Sequence, residues 1–180
     1  AREWREYERT STTIINAYIA PIVTRYLNFL ETRMREKHFA KTVHVMQSGG
    51  GIITAEIAKG IPIQTLMSGP VGGAVGNATL SKMTGYKNLI GVDMGGTSYD
   101  VSMIIDGKPD IATETQLEGF PILVPMINIY TIGAGGGSIA WLEAGGLRVG
   151  PVSAGSVPGP ACYGNGGTRP TITDANVVLG

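Results

Sequence analysis

Apolar residues at Trp4, Tyr7, Ile14, Tyr18, Ile22, Tyr26, Phe29 and Leu30 fall mostly three or four positions apart. That is the spacing of one helix face, so residues 1–38 are expected to be helical. Arg25, Glu31, Arg33, Arg35, Glu36 and Lys37 then form the solvated face. Ser11-Thr12-Thr13 offers a cap for the main helix start, and Pro21 should kink or restart the helix. The period then shortens. Thr42–Gln47 alternates as a strand and is followed by Ser48-Gly49-Gly50-Gly51. This is either a ligand loop of the kind found at strand ends in open α/β folds or a plain connection to a helix at 52–59. Residues 61–67 read as a second short strand. Residues 69–83 read as a helix carrying Gly72, Gly73, Ala74, Gly76 and Ala78, a composition tolerated where something packs very close.

The most informative stretch is LIGVDMGGTSYDVSMII, residues 89–105. Two apolar runs flank Asp93-Met94-Gly95-Gly96-Thr97-Ser98, which reads as strand, tight turn, strand. Glycines allow positive φ and close approach of a ligand, and successive N–H groups in such a turn can cradle an anion. Asp93 beside that cradle is suited to hold hydrated magnesium against phosphates, with Thr97 and Ser98 adding hydroxyls. An ordinary Gly-Gly hairpin has the same pattern.

Further on, Asp106–Pro109 is a turn, and residues 111–117 are expected to be a third antiparallel strand. Residues 122–132 are strand-like with a break at Pro125. A second glycine cluster runs from Gly133 to Ser138. It lacks the βαβ unit and distant acid of a dinucleotide fingerprint, so it is either part of a cleft or a sharp turn. From Gly145 the chain is rich in glycine and proline and is expected to be irregular, until Thr171–Asn176 begins a capped helix.

Composition narrows the function classes. Fourteen basic residues balance fourteen acidic ones in 180, which argues against nucleic acid as the main partner. One cysteine, Cys162, excludes an internal disulfide framework and fits a reducing, cytoplasmic setting. No apolar run reaches the length of a membrane span, and the charged start AREWREYER does not read as a secretory signal. His44 lies mid-strand without a nearby ligand partner, and His38 sits at a helix end. Cys162 has no recognisable histidine partner, so a buried or loop thiol is favoured over a nucleophile. Asp174 is first a cap and second an active-site acid.

Six stretches in order resemble the hydantoinase/oxoprolinase family of ATP-dependent enzymes. They are REYERTSTTIINAYIAP, VMQSGGG, LMSGPVGGAVG, GVDMGGTSYDVS, TIGAGGGSIAW and SAGSVPGPACYGNGGTRPTITDAN. Within them, residues 68–102 are similar to the heat-shock chaperone ATPases of the actin-like superfamily. There a small-residue connecting helix leads into a second phosphate loop with two acids seven residues apart, here Asp93 and Asp100.

The resemblance implies a mixed α/β, ribonuclease H-like fold. Residues 1–87 would end one lobe, with the connecting helix at 69–83, and residues 88–180 would begin the next. It implies ATP and Mg2+ as cofactors. Asp93 would serve as catalytic residue and metal ligand, and Asp100 as a second metal residue or a turn-fixing one. Gly95, Gly96, Thr97 and Ser98 would bind phosphate, with Gly135, Gly136 and Gly137 in the same cleft. The first phosphate loop and the adenosine loop of that superfamily do not appear, so the chain reads as the middle of a longer enzyme. The implied reaction is ATP-dependent opening of a cyclic amide or imide such as a hydantoin or 5-oxoproline. A subunit of an ATP-dependent ketone carboxylase and a non-catalytic scaffold are the alternatives. The expected partners are the small substrate, the rest of the same enzyme and a hydantoinase B-type subunit.

Overall fold

The computed structural model describes residues 4–39 and 41–180. It is mixed α/β and divides into two compact units. Unit 1 holds residues 1–89 and 103–128, and unit 2 holds residues 90–102 and 129–180. The units are thus interleaved in sequence, whereas the sequence analysis drew one boundary at 87/88.

Unit 1 is built on α1, Glu6–Glu36; residues 1–3 of the expected helix lie outside the described residues. Its packed face is not the stripe with the clearest period. Ile15 and Ile19 pack, with Leu66, on buried Ile63, Ile122, Val124 and Met126. Buried Leu27, with Val23 and Leu30, packs on Ala55, Ala58, Val43, Val45 and Ile53. Trp4, Tyr7, Ile14, Tyr18, Ile22, Tyr26 and Phe29 are all exposed, Tyr18 by 78%. The helix is therefore apolar over an arc wider than unit 1 covers, and periodicity alone could not tell the covered part from the open part.

Ser11–Thr13 lies inside the helix rather than capping it. Thr12 and Thr13 donate their hydroxyls back to the carbonyls of Glu8 and Arg9 at 2.7 and 2.8 Å, the local alternative open to such residues in a helix. Thr12 Oγ1 also accepts the Leu123 N–H at 2.9 Å, which fixes the 120–124 segment on α1. The helix is assigned without interruption through Pro21.

Strands β1 (His44–Met46) and β2 (Ile52–Thr54) pair antiparallel and lead into helix α2 (Ala55–Gly60). The first glycine cluster is thus a hairpin turn, not a strand-to-helix ligand loop. Gly50 has φ 91°, and a Cβ there would meet Ile127 and Val75 side chains at 3.1 Å, so packing accounts for it. Lys59 of α2 reaches Glu31 of α1 at 2.7 Å, and that carboxylate holds the ammonium pKa above its ordinary value.

The strand expected at 61–67 is a 3-10 turn, Pro62–Thr65. Pro62 cannot donate to a ladder and presets φ for a turn, while Asn16 Oδ1 accepts the Ile63 N–H at 3.1 Å. Helix α3, Ser68–Thr84, forms as expected and buries Val71, Ala74, Ala78 and Ser81. Its Gly69, Gly72, Gly73 and Gly76 face open space, so no close neighbour among the described residues explains them.

Strands β3 (Leu89–Met94) and β4 (Tyr99–Ile105) form the expected hairpin and run from one unit into the other. In unit 1, β4 continues through the Asp106-Gly107 turn to β5 (Lys108–Pro109). The single strand expected at 111–117 is instead two. These are β6 (Ile111–Ala112), paired with β9 (Met126–Ile127), and β7 (Thr115–Leu117), paired with β8 (Phe120–Ile122). Chain pairing stops around Pro125, as expected.

In unit 2, β10 (Ile129–Ile132) pairs with β4, with Thr131 opposite Asp100. Strands β11 (Ser138–Glu143) and β12 (Gly146–Ser153) form a hairpin; this ordered ribbon replaces the irregular structure expected from Gly145. A 3-10 turn, Ala161–Tyr163, precedes helix α4, Ile172–Leu179. Among the described residues, no helix is long and apolar enough to cross a membrane.

Burial separates the two stripes of α1 experimentally. Leu27→Ala, at a site 3% exposed, should cost about 2–5 kcal/mol by cavity formation. Tyr18→Ser should change stability of the 180-residue chain by about 0.5 kcal/mol or less. Urea unfolding of both variants decides which face is the core.

Candidate functional site

The two glycine segments singled out in the sequence meet in unit 2. The hairpin turn is closed by Gly95 N–H donating to Ser98 O at 3.0 Å. The second cluster then lies along its tip. Gly135 N–H donates to Thr97 O at 3.2 Å, Gly136 N–H to Gly95 O at 2.9 Å and Gly137 N–H to Gly96 O at 2.6 Å. The direction of this approach leaves no room for side chains at 135 and 137. A Cβ on Gly135 would sit 2.6 Å from the Thr97 backbone, and one on Gly137 would sit 2.8 Å from Gly96 O.

This docking uses the tip's carbonyls and leaves its amides. Among the described residues, the backbone N–H groups of Gly96, Thr97 and Ser98 have no acceptor. Gly96 is exposed, and a Cβ on it would meet nothing within 4 Å. Neither Gly95 nor Gly96 has positive φ, which corrects one of the two reasons given for glycine there. Internal geometry does not require a glycine at 96; room for an approaching group remains as the reason.

A cavity of about 620 Å3 opens at this tip. Its lining includes Met94, Gly95, Gly96 and Thr97 of the tip, Gly136 and Gly137 of the second cluster, and Tyr163, Thr173 and Asn176 from further along the chain. Asp93, Ser98, Asp100 and Gly135 are close in sequence to the lining but outside it. Asp93 is exposed at the end of β3 and makes no side-chain hydrogen bond or ion pair among the described residues. Asp100 is engaged: Oδ1 accepts from Thr131 Oγ1 at 2.6 Å and Oδ2 from Ser98 Oγ at 3.4 Å. The two aspartates therefore differ, Asp100 being hydrogen-bonded across to Thr131 and Ser98 and Asp93 having no such partner among the described residues. Among the described residues, no group of three or more His, Cys, Asp or Glu could hold a metal. A free carboxylate beside open amides nevertheless fits magnesium, which uses one or two carboxylates plus phosphates rather than a protein cage.

Sequence reasoning passed over the opposite wall. Thr171 and Asp174 form a capping box at the start of α4, and Thr173 N–H and Oγ1 both donate to Gly136 O, at 2.9 and 2.8 Å. The Thr-x-x-Asp pattern marked the helix start, but no local signal paired it with residues 95–97. Asp174 is held well below the ordinary carboxylate range, chiefly by the Cys162 N–H, with Thr171 adding to it. Cys162 is an exposed loop thiol whose pKa is raised, first by its hydrogen bond to Asp174. A thiol held protonated is a poor nucleophile.

A mixed α/β chain with two glycine segments joined around an amide-lined cavity now has relatives to be compared with. Residues 9–180 match the hydantoinase/oxoprolinase family, and the chain belongs to that family. It is 41% identical to the caprolactamase subunit alpha of Pseudomonas jessenii, covering 98% of this chain and 25% of that one. It is 40% identical to the 5-oxoprolinase of Saccharomyces cerevisiae, covering 96% of this chain and 13% of that one. In structure it is similar to a nucleotide-free acetone carboxylase, with TM-score 0.82, 32% identity and coverage of 98% of this chain and 25% of that one. The chain thus spans a quarter or less of these relatives' length.

Two glycine-to-alanine changes test the geometry. Gly135→Ala should destabilise the chain by about 1–3 kcal/mol, the cost of forcing atoms into filled space. Gly96→Ala should leave stability unchanged or slightly raised, since its φ suits alanine. Thermal melts that shift equally for both would contradict the docking.

Proposed function

We propose that this chain is part of an ATP-dependent enzyme that opens a cyclic amide or imide, such as a hydantoin, 5-oxoproline or a lactam. The observation that carries the proposal is the tip of the β3–β4 hairpin. Its carbonyls are spent on Gly135–Gly137, its Gly96, Thr97 and Ser98 amides are free, and Gly96 leaves room beside them. Free amides in a turn are an anion site, and the phosphates of ATP are the anion this proposal assigns. The chemistry supplied by ATP is phosphorylation of the amide oxygen, which makes the carbonyl carbon attackable by water. The chain's own part is positioning and charge stabilisation. Gly96, Thr97 and Ser98 bind phosphate oxygens, Asp93 holds Mg2+ directly or through water, and Asp100 fixes the strand pair through Thr131 and Ser98. In this proposal residues 1–87 end one lobe of an actin-like ATPase and residues 88–180 begin the next.

The test uses the full-length enzyme. ATP turnover is measured with 5-oxoproline, a hydantoin, caprolactam, and a ketone with bicarbonate. Stimulation by a cyclic amide is expected; stimulation only by ketone plus bicarbonate would replace hydrolysis with carboxylation, the alternative that the likeness to acetone carboxylase matches. Asp93→Asn should lower the stimulated turnover by about 10²-fold, the scale of losing one key electrostatic group, at an unchanged melting temperature. Wild-type turnover in that variant at saturating magnesium would reduce the loop to a plain hairpin.

We also propose that the open face of α1 packs against the remainder of the same polypeptide. Relatives such as the caprolactamase subunit extend well beyond the matched quarter. Tyr7, Ile14, Tyr18, Ile22 and Phe29 are exposed along one helix, a stripe of about 33 Å with the aromatic character of interface cores. Amide exchange in α1 should be slower in the full-length protein than in residues 1–180 alone. Equal exchange in both would sink the idea, and protection that appears only on adding a hydantoinase B-type subunit would give the face to that subunit.

A further inference from the structure

Asp174 makes more bonds than a helix cap requires. The capping box uses Thr171, whose N–H and Oγ1 both reach Asp174 Oδ2 at 2.8 Å. Two further donors come from a different segment: Cys162 N–H reaches Oδ1 at 2.7 Å and Ala161 N–H reaches Oδ2 at 3.3 Å. One side chain therefore joins the Ala161–Tyr163 turn to the start of α4.

Both joined segments face the cavity. The turn supplies Tyr163, and α4 supplies Thr173 and Asn176. Thr173 is bonded twice to Gly136 O, and Gly136 N–H is bonded to Gly95 O. A path of hydrogen bonds joined by short stretches of backbone thus runs from the Asp174 carboxylate through the first turn of α4 and the second glycine segment to the hairpin tip. Asp174 itself is not among the residues that line the cavity.

We propose that Asp174 is a positioning residue for the phosphate-binding tip. It fixes the wall of Tyr163, Thr173 and Asn176 opposite Gly95–Thr97, so that both sides contact one phosphate-bearing ligand. This rests on the ATP reading above. It also gives Cys162 a role: the residue serves through its N–H.

Four variants of the full-length enzyme test this, assayed well below their melting temperatures with MgATP as the varied substrate. Thr171→Val removes the cap hydroxyl but leaves the links from Asp174 to Ala161 and Cys162. Asp174→Asn weakens all of them. A residue that only stabilised α4 would give two variants that melt lower and keep wild-type KM and kcat. Positioning predicts that Asp174→Asn alone raises KM for ATP about tenfold or more. It also predicts faster alkylation of Cys162, read by peptide mass spectrometry, as its carboxylate partner is lost. Should Asp174→Asn fail to fold, Thr173 carries the same test one step along the path. Thr173→Val should raise KM for ATP, and Thr173→Ser, which keeps the hydroxyl, should restore it. Wild-type KM in Asp174→Asn, or in Thr173→Val, overturns the proposal while leaving the ATP reading intact. A wild-type enzyme without ATP turnover overturns both.

Discussion

Each backbone amide at the hairpin tip has one N–H and one C=O to place, and the way these are shared sets everything else in unit 2. Gly135–Gly137 donate to the carbonyls of Thr97, Gly95 and Gly96. That contact holds the tip in one shape without using its N–H groups. It also dictates composition, because Cβ atoms at 135 or 137 would collide with the backbone they serve. The glycines of the second cluster are thus needed by the fold, whereas Gly96 is spare as far as the fold is concerned. Two neighbouring glycine clusters therefore have different physical reasons to exist, and only one of those reasons points to a ligand.

Much of this was legible in the sequence wherever a local rule was enough. Alternation around Asp93–Ser98 gave the hairpin, the Gly107 turn gave its continuation, and Thr171-x-x-Asp174 gave the start of α4. Failures came where the deciding partner is distant. Ile15 and Ile19 are partly buried and Leu27 is buried because Ile63, Ile122 and Ala58 lie across from them; Tyr18 and Ile22 have equally good spacing and are exposed. Residues 61–67 looked like a strand by apolar content, but Pro62 and the Asn16 side chain favour a turn. Glycine and proline after Gly145 hid a strand, β12, whose order comes from pairing with β11.

The site was half legible for the same reason. Asp93, Gly96 and Thr97 could be named from one loop. Their setting could not, because Gly136 and Thr173 lie roughly forty and eighty residues further along the chain and reach the loop through hydrogen bonds. From the sequence, Asp100 stays open between a second metal role and a turn-fixing one. Pairing of β10 with β4 sets Thr131 opposite Asp100 and engages that carboxylate, while Asp93 has no such neighbour.

Charge gives the remaining step. The residues lining the cavity include no basic side chain and no acidic one. An anion held there would rely on amide dipoles and hydroxyls, which stabilise charge well only when preorganised. Asp93, exposed and one residue outside the lining, would repel that anion if nothing stood between them. An anion site with an unpaired carboxylate at its rim is electrostatically poor for a phosphate alone and favourable for a phosphate carrying a divalent cation. In the proposed reading, the same carboxylate that would weaken binding of a bare anion would select the metal-bound form. This is why the free state of Asp93 and the engaged state of Asp100 argue for one metal-directed carboxylate at the tip rather than two.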